Sequence, residues 1–284
     1  MSHTPWPQSI DNIFPRSIVS ILANFQAFNS TRGAVDDPIQ TQCGSLRQAI
    51  DEAVNVTVLT GAGISAESGV PTFRGKDGLW RNFSAGELAT PGAFGRDPRL
   101  VWEWYDWRRS IVKQAQPNPG HFALAELQRR KTGGNGKTTA FTLITQNVDG
   151  LHDRAGSEQP LKLHGDLWYL RCVECSKIEK NEDVPLRELP PRCACGGLIR
   201  PAVVWFGEPL PEIEWDLANK ASERGGIFMV VGTAGVVYPA AGLAGVAYGK
   251  GAKLAVINPE PTPLDHLAQW VLRGPAGEIL PRLV

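Results

Sequence analysis

No stretch of this sequence approaches the roughly 20 consecutive apolar residues that span a bilayer, so no membrane partner is expected. Net charge is missing as well: 29 Lys and Arg stand against 29 Asp and Glu. That balance removes any global pull toward nucleic acid or an anionic surface. Cysteine is scarce, with five residues in 284, and unevenly placed. Cys43 stands alone, while Cys172, Cys175, Cys193 and Cys195 cluster. So sparse a set excludes a disulfide framework, and four together point to a metal. Internal repeats and low-complexity tracts are absent. What remains is an ordinary globular composition, long enough for one large domain, or one plus a small one.

Helix and strand patterns alternate along the chain. Residues 1–44 form an N-terminal extension in which Ile18, Ile21, Leu22, Phe25 and Phe28 share one face of a helix opening near Pro15. With Asp11 as the one acid and Arg16 and Arg32 as the arginines of residues 1–35, the extension fits either a mitochondrial transit peptide or a docked helix. The mitochondrion is thus one expected compartment, with cytoplasm or nucleus the other. A short helix is expected over Ser45–Ala53, N-capped by Ser45. Strands are expected at 54–60, 140–145, 227–232 and 253–258, and a short one in "LKLHGD". Residues 75–115 look helical and tryptophan-rich. Alternating strands and helices imply a parallel sheet with helices on both faces.

"VTVLTGAGISAESGVPTFRG", residues 56–75, runs a strand into Gly61-x-Gly63-x-x-Ala66, which formally fits a dinucleotide-binding fingerprint. A plain tight turn fits the glycines as well. The other strands also end in small or polar residues: Gln146, Asn147 and Asp149; Gly232 and Thr233; Asn258 and Glu260. In open parallel sheets ligands sit beyond these carboxyl ends. A dehydrogenase would need an unbroken helix and a ribose-binding acid after a second strand. Here Pro71 breaks the chain, and Glu87 lies in a segment without strand character. "GGNGKTT" lacks the first glycine of a phosphate-binding loop, since that position is Lys131.

Cys172-x-x-Cys175 and Cys193-x-Cys195-Gly-Gly form a zinc-ribbon pattern, the second pair tighter than the usual C-x-x-C. Four thiolates fill a tetrahedral zinc and leave no open position, so the metal is structural. A segment this short needs it to fold. A nucleic-acid-binding ribbon would need a basic face, yet Arg171, Lys177 and Lys180 alternate with Glu174, Glu179, Glu182 and Asp183. His121, His152 and His266 fall in helix-like or loop contexts and are expected at the surface or as caps. His164 ends a strand beside a glycine, where a group of pKa near 6.5 suits general-base work. The plainer alternative for it is a structural histidine.

GAGISAESGVPTFRG, TQNVDGLH, LKLHGD, the four cysteines, VVWFGE, GTAGVVYPAAG and INPE, in that order, resemble the motif set of the sirtuins, the NAD-dependent protein lysine deacylases. The resemblance runs from about residue 45 to the C-terminus. It implies a Rossmann-like domain from 45–74, 116–164 and 201–284, and a small helical and zinc-binding module from 75–115 and 165–200. It implies an enzyme, expected as a monomer, acting on acylated-lysine proteins or peptides, with NAD and zinc as cofactors. By position, Gly61, Ala62, Glu67, Thr72, Phe73 and Arg74 line the NAD site. Gln146, Asn147 and Asp149 hold the ribose and carboxamide, and Gly232, Thr233, Asn258 and Glu260 the adenosine half. His164 and Asn147 are the catalytic candidates, His164 as the base on the nicotinamide ribose. Val203-Val204-Trp205 and Gly235-Val236-Val237 flank the substrate as an added strand. The broken helix after Gly63 becomes a loop folded over NAD, so that nicotinamide is cleaved off and an O-acyl-ADP-ribose is released. One departure is Ala234, where the family usually carries Ser.

Tyr105 and Arg108 lie three apart, on one face of a helix. A guanidinium and a phenol can grip a carboxylate. Their match to the Tyr-x-x-Arg of desuccinylase-type (class III) sirtuins, with Ala85 as the small residue widening the pocket, implies removal of succinyl, malonyl or glutaryl groups. The plainer reading is a solvated arginine beside a core tyrosine. Plain deacetylation and ADP-ribosylation are the alternatives within the same fold.

Overall fold

A computed structural model describes residues 38–72, 80–81, 83–133 and 139–284. The N-terminal helix and transit-peptide expectations, Phe73, Arg74 and most of the 133–139 loop lie outside the described residues. The chain divides into two compact units, residues 1–41 and 42–284. Of the first, 38–41 are described, as the opening turn of α1 (Pro38–Glu52).

That helix starts earlier than expected. Ile39, Cys43, Leu46 and Ile50 continue one helical stripe back through Gly44, and Cys43, Leu46 and Ile50 are buried. Ser45 therefore sits mid-helix and caps nothing. Its hydroxyl instead accepts a hydrogen bond from the Trp270 indole at 3.2 Å.

The large unit is built on a six-stranded sheet in the order β3-β2-β1-β7-β8-β9. Its strands are β1 (Asn55–Thr60), β2 (Ala140–Thr145), β3 (Leu161–Lys162), β7 (Ile227–Val231), β8 (Lys253–Ile257) and β9 (Ala268–Leu272). Every neighbouring pair is parallel. β7 is buried at all five positions, as a strand covered by helices on both faces must be. β9 had no expected counterpart, because AQWVL is a five-residue edge strand that begins with Ala268 and the exposed polar Gln269. The strand order reverses between β1 and β7. At such a switch point the connections leave in opposite directions and open a crevice beyond the carboxyl ends.

Two glycine clusters set the shape of that crevice. Gly61 N–H donates to Val231 O and Gly63 N–H to Gly232 O, at 3.0 and 2.7 Å. A Cβ on Gly63 would lie 2.7 Å from Gly232 O, and one on Gly232 would lie 2.4 Å from Ile64 N. Gly232 also has φ +59°, which a side chain rarely adopts. Only bare backbones fit where the β1 and β7 turns meet.

A second core joins helices to a three-stranded antiparallel sheet, β5 (Ile178–Lys180), β4 (Gly165–Cys172) and β6 (Ile199–Val203). The helices are α3 (Ala85–Leu88), α4 (Pro91–Arg96) and α5 (Pro98–Gln114). Asp97 caps α5 by accepting from Leu100 N–H at 2.9 Å, and Pro98 occupies its first turn. Trp102, Trp104 and Tyr105 on α5 pack with Leu167, Leu170, Val203 and Trp205. Each such aromatic buries on the order of 200 Å², roughly 5 kcal/mol of transfer free energy before ordering entropy is subtracted. Arg109 ties helix to sheet, donating to Leu167 O at 2.8 Å and to Asn181 Oδ1 at 2.6 Å. No helix among the described residues is long and apolar enough to cross a membrane.

Candidate active site

A cleft of about 520 Å³ opens at the switch point and runs between the parallel sheet and the smaller module. Gly61, Ala62, Thr72, Gln146, Asn147, His164, Gly232, Thr233, Asn258 and Glu260 line it. So do Tyr105, Arg108, Val203 and Trp205. Residues spread over 200 positions of sequence thus meet in one trough. Three expected residues do not face it. Glu67 is exposed and its carboxylate accepts from Gly277 N–H at 3.0 Å. Asp149 is buried behind the glycine loop, where it accepts from the Ser65 hydroxyl at 2.8 Å and Leu151 N–H at 2.9 Å. Ala85 is packed in the helical core, and the alanine of the small module that lines the cleft is Ala89. Ala85 starts the short helix α3, whereas Ala89 follows its end, and Ala89 O accepts from Phe206 N–H across the cleft wall at 2.9 Å.

His164 follows β3 and has its tautomer set by the backbone. Its Nδ1 donates to Gln146 O at 2.9 Å, so Nε2 carries a lone pair. Burial lowers its pKa, partly offset by the Gln146 bond. The ring is therefore neutral near pH 7 and able to accept a proton.

Asn147 is oriented just as tightly. Its Nδ2 donates to Gly61 O and to Ser65 Oγ, both at 3.1 Å. Both amide hydrogens are used, so the group offers its oxygen, an acceptor, to the cleft. Ser65, Thr60 and Thr145, which hold this arrangement, carry no sequence signal beyond lying next to glycine or strand ends. Nor did the sequence mark His121 and His152, expected at the surface or as caps. His121 does complete a capping box with Asn118, yet both rings are buried, at 0% and 2% exposure. They lie 4.9 Å apart under the cleft floor. Of the three, only His266 is exposed.

At the other end, α5 turns Tyr105 and Arg108 inward together. The Tyr105 phenol oxygen accepts from the Trp205 indole at 2.9 Å, leaving its own proton to donate. Burial pushes that phenol's pKa up. Arg108 is 7% exposed, with its guanidinium 5.4 Å from the Trp104 ring centre. Burial lowers its pKa, and the Tyr105 and Asp149 oxygens act in the opposite sense. The adjacent Arg109 has a different task, the clamp on the antiparallel sheet. Glu208, on the cleft wall, pairs with the buried Arg200 at 2.5 Å, and the Arg200 guanidinium carbon lies 3.3 Å from the Trp205 ring centre.

The four clustered thiols face one point. Cys172 and Cys195 sulfurs are 3.5 Å apart, Cys175 and Cys193 3.7 Å, and all four lie within 4.8 Å of one another. A tetrahedron of Zn–S bonds near 2.3 Å has sulfur edges of ~3.8 Å, so the set fits one zinc ion. The tight C-x-C spacing works because of the glycines after it. Gly196 takes φ +87°, and a Cβ on Gly197 would lie 3.0 Å from the Cys172 sulfur. The N–H of Cys175 draws the Cys172 thiol down to about 7, toward the thiolate that a metal needs.

The Sir2 family pattern matches residues 61–239. The NAD-dependent protein deacylase of Aquifex aeolicus is 54% identical over 227 residues, which cover 80% of this chain and 92% of that relative. The chain belongs to the Sir2 family. Another sirtuin relative, the NAD-dependent protein deacylase of Ralstonia nicotianae, is 49% identical over 241 residues, covering 84% and 94%. A solved Sir2 homologue in complex with NAD aligns at TM-score 0.78 with 45% identity, covering 89% of this chain and 94% of that one. A Sir2 histidine-to-alanine mutant with deacetylated p53 peptide and 3′-O-acetyl-ADP-ribose aligns at 0.75 with 34% identity, covering 84% and 96%.

Two outcomes are expected. Removing zinc with a chelator and a thiol reagent should lower the thermal midpoint by on the order of 10 °C; a midpoint that holds while metal is released contradicts a structural site. The buried histidines make stability depend on pH. Burial lowers His121 to about 4 and His152 well below its ordinary value. The unfolded chain therefore binds protons first, and the stability that neutral rings permit is complete above ~6.5 and lost as pH falls toward about 4. The slope is ~1.4 kcal/mol per pH unit per ring. Urea midpoints should fall more steeply with acidification for the parent than for His121→Gln; equal slopes contradict this.

Proposed function

We propose that this sirtuin is an NAD-dependent protein-lysine deacylase that prefers dicarboxylic acyl groups, namely succinyl, malonyl and glutaryl. The first part is supported by the family, by the names of its relatives and by the fit of the cleft to NAD. Side chains are absent where the β1 and β7 turns touch, so a pyrophosphate can approach backbone N–H groups directly. Asn258, pinned by its Nδ2 bond to Glu260 O at 2.7 Å, and Thr233 stand on the adenosine side. Ala234 offers no hydroxyl there, which leaves phosphate contacts to Thr233 and neighbouring N–H groups. Bound NAD supplies a ribose carbon with nicotinamide as a leaving group, to which the acyl group can be transferred.

This chain's residues then have distinct tasks. His164 Nε2 takes the proton of a ribose hydroxyl. The Asn147 oxygen accepts from a second hydroxyl or a water. Val203 and Trp205 on one wall, and the exposed Val236 and Val237 on the other, bracket an extended peptide, and Val204 N–H is already committed to His164 O at 2.9 Å. Apolar walls exclude water from the acyl carbon until transfer is complete.

The preference for a dicarboxylic group rests on one observation, that Tyr105 and Arg108 both reach the cleft beside Ala89. The small alanine leaves length for a longer acyl chain. The Tyr105 proton and the Arg108 guanidinium can meet its terminal carboxylate, and such charge-assisted hydrogen bonds are worth about 1.5–3 kcal/mol. An acetyl group gains none of this. Succinyl-lysine peptide should therefore be turned over with a kcat/KM at least ~10-fold above the acetyl peptide. Arg108→Met should lose the succinyl activity selectively. Preference for acetyl, or equal loss on both substrates, overturns the assignment.

A further inference from the structure

Neither His121 nor His152 lines the cleft, yet both connect by hydrogen bonds to one residue that does. The direction of each bond follows from the proton count. His121 Nδ1 accepts from Asn118 N–H at 3.3 Å, so its proton is on Nε2, which faces Ser65 Oγ at 3.4 Å. Ser65 gives its own proton to Asp149 and thus only accepts from His121 and from Asn147 Nδ2. On the other side, His152 Nε2 lies 3.0 Å from Thr60 Oγ1, and its Nδ1 has no partner. A proton on Nδ1 would be a buried donor without an acceptor, so His152 too is the Nε2–H form and donates to Thr60. Thr60 passes its proton to Thr145 Oγ1 at 2.9 Å. Thr145 Oγ1 accepts from Asn147 N–H at 3.0 Å.

We propose that His121 and His152 are positioning residues for Asn147: one relay through Ser65 holds its side-chain amide, the other through Thr60 and Thr145 holds its main chain, and together they keep its oxygen aimed into the cleft. The inference rests on the deacylase function proposed above. Only neutral rings serve, since a second ring proton would turn His121 Nδ1 from acceptor to donor toward Asn118 N–H. Around the pair, the charged groups among the described residues are Asp149, reached through Ser65, and Lys162, whose charge acts on His152. Each ring also disfavours charge on the other. The site therefore keeps two histidines as fixed donors and a third, His164, as the base.

A double-mutant cycle tests this. Thr60→Val removes a hydroxyl at constant shape, and His121→Leu removes the other donor. With NAD and the acyl-lysine peptide, each should cut kcat about tenfold or more while KM stays within about twofold. In an Asn147→Ala background the same changes should have no further effect on kcat, because the group they position is gone. His121→Gln, whose Nε2 can replace the ring donor, should recover most of the loss. In ¹⁵N–¹H spectra the Asn147 amide signals should shift in Thr60→Val. Undiminished kcat with unshifted Asn147 signals overturns the proposal, as does a loss of equal size with and without Asn147. If His121→Leu does not fold, Thr60→Val decides alone. A parent that fails to consume NAD and acyl peptide refutes the function instead; variants that equal a working parent refute the relay.

Discussion

Two backbones touching at the carboxyl ends of β1 and β7 govern the rest of this molecule. Gly63 N–H reaches Gly232 O at 2.7 Å, a distance that leaves no room for a side chain on either strand turn. That contact opens the crevice of the parallel sheet at its switch point. The chain after Gly63 forms a helix of only four residues, Gly63–Ala66, with Gly69 at φ +80° and Pro71 following it, instead of a long one. The short helix carries Ser65 down onto Asp149 and Asn147, so the same turn that admits a dinucleotide also organises the polar floor beneath it.

Histidine shows how one side chain takes different roles on different scaffolds. His164 gives its Nδ1 proton to a carbonyl and keeps a lone pair for the cleft. His121 and His152 face the other way, with their protons on Nε2, and act as donors inside the protein. The fold decides by what it places at Nδ1: a carbonyl in the first case, a backbone N–H or nothing in the others. Burial adds to the effect by keeping all three rings neutral near pH 7.

Much of this was legible in the sequence for physical reasons. Strands such as IFMVV are apolar at every position because they are buried on both faces, and their small or polar successors mark the ends where ligands sit. The four cysteines announce a tetrahedron by spacing alone. Other features were not legible. Helix α1 begins seven residues before the expected Ser45 cap, because the apolar stripe of Ile39 and Cys43 runs on through Gly44. Ala85 and Ala89 are equivalent in composition, and only the end of α3 decides which one faces the cleft. Arg108 and Arg109 are neighbours, and the helix phase makes one a wall of the cleft and the other a clamp. The polar network of Thr60, Ser65, Thr145 and the paired histidines joins residues up to 92 positions apart, a closeness no local pattern encodes.

The central claim is that one trough holds a cofactor whose glycosidic bond to nicotinamide breaks and an acyl-lysine whose acyl group passes to the ribose. It is tested most directly by incubating the protein with NAD and a succinyl-lysine peptide and weighing the products. The account predicts equal amounts of nicotinamide, unmodified lysine peptide and O-succinyl-ADP-ribose. Free succinate without nicotinamide, reduced NAD, or ADP-ribose attached to the peptide would contradict it.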